Sequence, residues 1–120
     1  MPEAISRGHR IYYETQGFGP PLVLIPGLMQ TIKRWELAGY QPLASRYQLV
    51  VLDTLGHGRS DRPDDAASYD RRSVAADVIA VMEDAGLSKA HVWGYSRGAA
   101  IAVNVASLYP ERVRSLILGG

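Results

Sequence analysis

The chain has 120 residues, enough for one domain, and 47% are hydrophobic against 21% charged, a globular balance that excludes disorder as a global description. Thirteen Lys and Arg against twelve Asp and Glu leave a formal charge of +1, so the charge points to neither nucleic acid nor a membrane surface. The absence of cysteine excludes disulfides, thiolate metal sites and a Cys nucleophile.

The segment Met1 to Gly8 has no basic stretch followed by an apolar one, so no secretory leader is expected. No apolar run approaches the roughly 20 residues a bilayer requires. The expectation is a cytoplasmic protein.

Arg10–Glu14 is short and rich in Ile and Tyr, a strand of an N-terminal hairpin after a turn at Gly8. Leu22–Ile25 is an apolar run between Pro21 and Pro26, which predicts a fully buried strand. Ile32–Leu43 is mixed and predicts a short helix of no more than about two turns. Gln48–Asp53 carries Leu-Val-Val-Leu, a second buried strand. Ser60–Asp70, with Pro63 and several Asp, reads as a solvated loop rather than a metal site, because no second cluster of ligands accompanies it. Arg71–Ala85 places Val74, Val78, Val81, Met82 and Ala85 on one helical stripe, with Asp70 as N-cap and Gly86 just past the end. Ala90–Gly94 is a strand, Arg97–Tyr109 a helix ended by Pro110, and Val113–Leu118 a last strand. Strands apolar on both faces that alternate with helices predict a mostly parallel sheet of about six strands, helices on both faces, in a single α/β domain over 1–120.

Chemistry concentrates at Gly94-Tyr95-Ser96-Arg97-Gly98, a G-x-S-x-G between a predicted strand and a predicted helix. A nucleophile at such a bend sits at an unfavourable backbone angle, and small residues two before and two after it let the chain fold back. The bend would lift the Ser96 hydroxyl out of the sheet at the positive end of the following helix. The Arg97 N–H is then the natural first oxyanion donor. A second donor is expected from Pro26-Gly27-Leu28-Met29, with Gly27 turning the Leu28 N–H into the site. The run Asp53-Thr54-Leu55-Gly56-His57-Gly58-Arg59-Ser60-Asp61 is not a dinucleotide fingerprint, since its third glycine would fall at Asp61, and no G-K-[ST] phosphate loop occurs. No cofactor and no metal is expected.

These four features, the strand ending at Pro26-Gly27, the Asp53 to Ser60 loop, the Gly94–Gly98 bend and Tyr109-Pro110-Glu111-Arg112-Val113, together resemble the α/β-hydrolase superfamily, most of all its esterase and lactonase-like branch. The resemblance runs from about Gly8 to Gly120 and implies Ser96 as nucleophile with the Leu28 and Arg97 amides as oxyanion hole. Pro26 stands where the family more often has His. The resemblance also implies an acid and a histidine after later strands, and no residue here matches either. The fold is thus expected in a shortened form.

Serine needs a base within about 3 Å. His91 lies on the strand of Ser96, about 16 Å back along it. His9 belongs to the N-terminal hairpin. His57 leaves the same sheet edge as Ser96 and is the candidate base within the chain. A base from a second subunit is the alternative, and Asp53 or Asp61 are candidate acids. Ser115–Leu118 is expected as an apolar sheet edge that favours a homodimer by edge pairing or element exchange. Two functions stand side by side: a serine esterase acting on small carboxylic esters through an acyl-enzyme, and a catalytically incomplete N-terminal part of a longer hydrolase.

Overall fold

The computed structural model describes residues 3–37 and 39–120. Six strands form one sheet: β1 (Glu3–Ser6), β2 (His9–Gln16), β3 (Pro21–Ile25), β4 (Gln48–Leu52), β5 (Ala90–Tyr95) and β6 (Val113–Gly119). Their spatial order is β1-β2-β4-β3-β5-β6. The β1–β2 and β2–β4 pairs are antiparallel, and β4, β3, β5 and β6 run parallel to one another. The helices are α1 (Ile32–Leu37), α2 (Arg71–Asp84) and α3 (Arg97–Leu108). The expected mostly parallel, six-stranded sheet is the observed one.

Alternation along the strands divides the core in two, because successive side chains point to opposite faces. Val23, Ile25, Val50, Leu52 and Val92 face α2 and α3, where they meet Val74, Val78, Val81, Met82, Ile101 and Val105. Leu22, Leu24, Leu49 and Val51 face the other way and pack with Ile32, Trp35 and Tyr40. Each central strand therefore buries both parities of its sequence, as unbroken Val/Ile/Leu runs require.

The predicted ends of α2 are in place. The Asp70 carboxylate accepts from the Ser73 N–H at 2.8 Å. At the other end Gly86 adopts φ +78, and the Gly86 and Leu87 N–H groups bond the Glu83 and Met82 carbonyls at 3.1 and 2.8 Å. That pair of bonds is a Schellman closure, which favours glycine at this position.

The mixed span Ile32–Leu43 holds the expected short helix, α1, and a separate 3₁₀ turn covers Gln41–Ser45, with Pro42 in its first turn. One stretch differs from expectation. The supposed solvated loop Ser60–Asp70 is ordered by its own side chains. Ser60 and Ser68 are buried, Asp65 caps a 3₁₀ turn over Ala66–Tyr69, and the Tyr69 hydroxyl donates to the Pro63 carbonyl at 2.6 Å. Aspartates that suggest solvent in a linear reading serve here as acceptors for local N–H and O–H groups.

The hairpin is locked to α2 by one buried carboxylate. Asp77 is 1% exposed and accepts from the Ser6 hydroxyl at 2.6 Å and from Arg7 Nη2 at 3.0 and 3.1 Å. Arg7 reaches it from the turn, at φ +54, and also donates to the Ser68 carbonyl. Asp77→Ala removes the shared acceptor and leaves two donors unmatched, so the expected loss is about 2–3 kcal/mol of unfolding free energy in urea titration.

Candidate active site

Three loops leave the same edge of the sheet, because β4, β3 and β5 are adjacent and parallel. They are 53–61 after β4, 26–31 after β3, and the bend at Ser96 after β5. The order explains why residues far apart in sequence meet.

Ser96 lies at φ +58, ψ −117, outside the regions an L-residue prefers, and the next residue starts α3. The flanking glycines have a steric reason. A Cβ on Gly94 would strike the carbonyl of Gly98. A Cβ on Gly98 would strike the carbonyl of Ile25 and lie 2.7 Å from that of Pro26. The start of α3 is thereby pressed directly onto the end of β3. Gly27 completes the contact, since a Cβ there would sit 3.3 Å from the Ser96 Cβ and 3.1 Å from the Tyr95 carbonyl. The Ser96 amide is held by the Gly119 carbonyl at 2.9 Å. Its side chain is exposed, and among the described residues its hydroxyl makes no hydrogen bond.

The amides of loop 26–31 divide into donors the fold uses and donors it leaves open. The Gly27 N–H goes to the Gln30 side-chain oxygen at 3.0 Å, and the Gln30 N–H returns to the Gly27 carbonyl at 3.1 Å. The Met29 N–H goes to His57 Nε2 at 2.9 Å, and the Ile32 N–H to Asp53 Oδ1 at 2.9 Å. Among the described residues no hydrogen bond uses the Leu28 or the Thr31 N–H, and of the two Leu28 adjoins Gly27, which packs on Ser96. The Arg97 and Gly98 N–H groups, in the first turn of α3, are likewise unused by the fold. Gly27 brings the Leu28 loop against the bend that carries Ser96 and Arg97.

Loop 53–61 braces this arrangement. Asp53 is 3% exposed, and its second oxygen accepts the Arg59 N–H at 3.0 Å. Gly58, at φ +52, is packed so closely on the Asp53 carboxylate that no side chain fits there. Ser60 donates to the Asp53 carbonyl and accepts the Tyr12 N–H at 2.8 Å. Asp61 accepts the Arg10 backbone and Nε at 2.9 and 3.0 Å, and these bonds hold its carboxyl below the usual carboxylate range. Both candidate acids are thus occupied with loop and hairpin backbone.

His57 is turned to the Leu28 loop. Its Nδ1 lies 3.1 Å from the Leu55 carbonyl and 3.2 Å from the Thr54 hydroxyl, and its Nε2 takes the Met29 amide. No hydrogen bond joins it to Ser96 among the described residues. His91 pairs with the Ser115 hydroxyl at 2.6 Å and meets the Tyr47 ring edge-to-face. His9 opens β2, with β4 and β3 between it and β5. The sequence reading did not find the Met29–His57 contact or the Gln30 tie on Gly27. The only linear sign of the former is a histidine between two glycines after a neighbouring buried strand.

A family model described as the alpha/beta hydrolase fold matches residues 20–120. A protein of Azorhizobium caulinodans carrying the name carbamate hydrolase RutD is 36% identical over 98% of this chain and 43% of its own length. The dihydrolipoyllysine-residue acetyltransferase component of an acetoin cleaving system from Pseudomonas putida is 35% identical over 98% of this chain and 32% of its own. A solved structure described as Est816, an N-acyl homoserine lactone degrading enzyme, superposes with a TM-score of 0.91 at 30% identity, over 99% of this chain and 46% of that one. The chain therefore spans less than half the length of these relatives. No helix among the described residues is long and apolar enough to cross a membrane.

The packing of Gly98 sets a test of the bend. Gly98→Ala must push α3 away from the Ile25 and Pro26 carbonyls, and a destabilisation of about 1–3 kcal/mol is expected in chemical denaturation.

Proposed function

The chain belongs to the α/β-hydrolase family, and on that premise we propose that it is a serine hydrolase of small carboxylic esters, working through an acyl-enzyme. The observation that carries the reading is the convergence of an exposed Ser96 at φ +58 with the unused N–H groups of Leu28 and Arg97. Ser96 attacks the acyl carbon. Negative charge develops on the carbonyl oxygen, and the Leu28 and Arg97 amides hold it together with the positive end of α3. The alcohol leaves, and water cleaves the acyl-enzyme. The names of the three relatives above support attack at an acyl carbon, since a carbamate, an acetyl group and a lactone all carry one.

The base comes from outside the chain's own described geometry. His57 spends its free nitrogen on Met29, and His91 and His9 lie away from the bend. A second copy of the chain is the proposed source. What supports this is an apolar face beside the edge strand β6. Ile117 is 43% exposed there. A trough of about 510 Å³ lined by Trp35, Tyr40, Trp93 and Tyr95 lies on the same side as α1. The Trp35 indole N–H is buried and lacks an acceptor among the described residues. Covering this face would bury apolar area and the unpaired backbone of β6.

A second reading is favoured by the share of the relatives that the chain spans, 43% and 46% in two of them. In it these residues form the nucleophile-bearing part of a longer hydrolase whose base and acid lie elsewhere in that protein.

A fluorophosphonate probe separates the two. The first reading expects labelling of Ser96 in a species of twice the 13.1 kDa chain mass by size exclusion. It expects Ser96→Ala to abolish labelling and to lower p-nitrophenyl acetate turnover by about a thousandfold or more. It also expects Ile117→Lys to return the protein to a monomer that labels poorly. A monomeric wild-type chain that resists the probe would establish the second reading.

A further inference from the structure

We propose, on the reading of Ser96 as nucleophile and Leu28 as oxyanion donor, that His57 is a positioning residue that holds the Leu28 loop in its donating conformation. The ring assigns its own tautomer. A carbonyl oxygen only accepts, so the approach of Nδ1 to the Leu55 carbonyl at 3.1 Å requires the proton on Nδ1. Nε2 then carries a lone pair, and the Met29 N–H points at it from 2.9 Å. The two contacts are mutually consistent, and each demands the other's protonation state.

Met29 is the residue that needs holding. It adopts φ +61, a left-handed conformation that a residue with a long side chain rarely takes, and its side chain is 85% exposed. Side-chain packing therefore does little to keep it there. Its amide bond to His57 is the restraint on this peptide, and the neighbouring peptide carries the Leu28 N–H. The loop is fixed on either side of Met29, at Gly27 by Gln30 and at Ile32 by Asp53. His57 supplies the middle point. Without it, the peptide that carries the Leu28 N–H is held only through its Gly27 carbonyl, by the Gln30 amide at 3.1 Å, and the Leu28 N–H drifts from the direction in which a developing oxyanion would lie.

Glycine on either side of His57 explains how the ring reaches. Gly56 at φ +84 and Gly58 at φ +52 bend the chain so that His57 projects from loop 53–61 toward loop 26–31. The His57 amide is itself tied back to the Thr54 carbonyl at 2.9 Å, and the Ser60 amide to the His57 carbonyl at 3.1 Å.

The test uses the 120-residue chain and two variants, His57→Ala and His57→Gln. Glutamine can present an oxygen acceptor near the position of Nε2. Amide hydrogen exchange is expected to show Met29 protected relative to Leu28 in the wild type, unprotected in His57→Ala and protected again in His57→Gln. The imidazole ¹⁵N resonances of His57 are expected to show the proton on Nδ1. Fluorophosphonate labelling of Ser96 is expected to slow about tenfold or more in His57→Ala, with most of the rate restored in His57→Gln. With p-nitrophenyl acetate the loss should fall on kcat and leave KM in place. A merely structural role would lower the melting temperature without that split, and a general-base role would not be restored by glutamine. Equal Met29 exchange in wild type and His57→Ala, or a His57→Gln no better than His57→Ala, overturns the proposal. A wild-type Ser96 that resists the probe instead sinks the nucleophile reading, while the exchange and ¹⁵N measurements still decide the His57 contact.

Discussion

Ser96 sits at φ +58 because the chain has nowhere else to go between β5 and α3. The last residues of β5 and the first turn of α3 are in contact through Gly94 and Gly98, and Gly98 in turn lies against the end of β3. A residue forced into such a conformation costs about 1–3 kcal/mol, which the surrounding packing must offset. It does so with Ile101, Ala102 and Val105, all buried on the face of α3 that meets the sheet. Three consequences come from this one bend. The hydroxyl is lifted into solvent, the Arg97 and Gly98 N–H groups face outward from the helix end, and the β3 loop is brought against the serine.

The second layer of the site is built from backbone amides that have been used up. In loop 26–31 and the first turn of α1, Gly27, Met29, Gln30 and Ile32 each donate within the fold, and among the described residues the Leu28 and Thr31 amides have no acceptor. Selectivity by exclusion of this kind depends on acceptors from the next loop, Asp53 and His57. Asp53 also stabilises loop 53–61 itself through Arg59 and lies beneath Gly58. One buried carboxylate thus couples the geometry of two loops, and neither loop can shift without leaving a buried acceptor unmatched.

What was legible in the sequence follows from locality. The Leu22–Ile25 and Leu49–Leu52 runs declare buried strands. Asp70 and Gly86 mark the ends of α2 through contacts only three to five residues long. Gly94 and Gly98 declare the bend by their spacing around Ser96, and the clash that Gly94 avoids is with Gly98 itself, although Gly98 also answers to the distant Ile25 and Pro26 carbonyls. Most features that escaped depend on contacts between residues far apart in the sequence. Asp77 looks like the polar face of an amphipathic helix, and only the return of Ser6 and Arg7, some 70 positions earlier, shows why a carboxylate is buried there. Asp65 and Ser68 are an exception: their mutual cap spans three residues, but a stretch rich in Asp reads as facing solvent until the acceptor is seen. The orientation of His57 again involves a distant partner. Its loop and sheet edge could be inferred, but the direction of the ring depends on the Leu55 carbonyl and the Met29 amide. The short helix within Ile32–Leu43 was legible, but the 3₁₀ turn over Gln41–Ser45 was not, because a proline such as Pro42 reads as a stop as readily as the start of a new turn.

The same distinction between near and far contacts divides the chemistry. Ser96 with the unused Arg97 amide, and the unused Leu28 amide, follow β5 and β3, neighbours in one parallel sheet, and the loop after β4 braces them. Such a set can form wherever these three strands pair. A proton relay has no such local origin. Each of the three histidines is placed by other demands: His57 by the Met29 amide, His91 by the Ser115 hydroxyl, and His9 by the hairpin beyond β4. Moving His57 toward Ser96 would release Met29 from the bond that restrains its φ of +61, so the imidazole cannot serve both partners without loosening loop 26–31. In the proposed hydrolase, stabilisation of negative charge would then rest on main-chain amides oriented by the fold, and the movement of the proton on a group placed elsewhere.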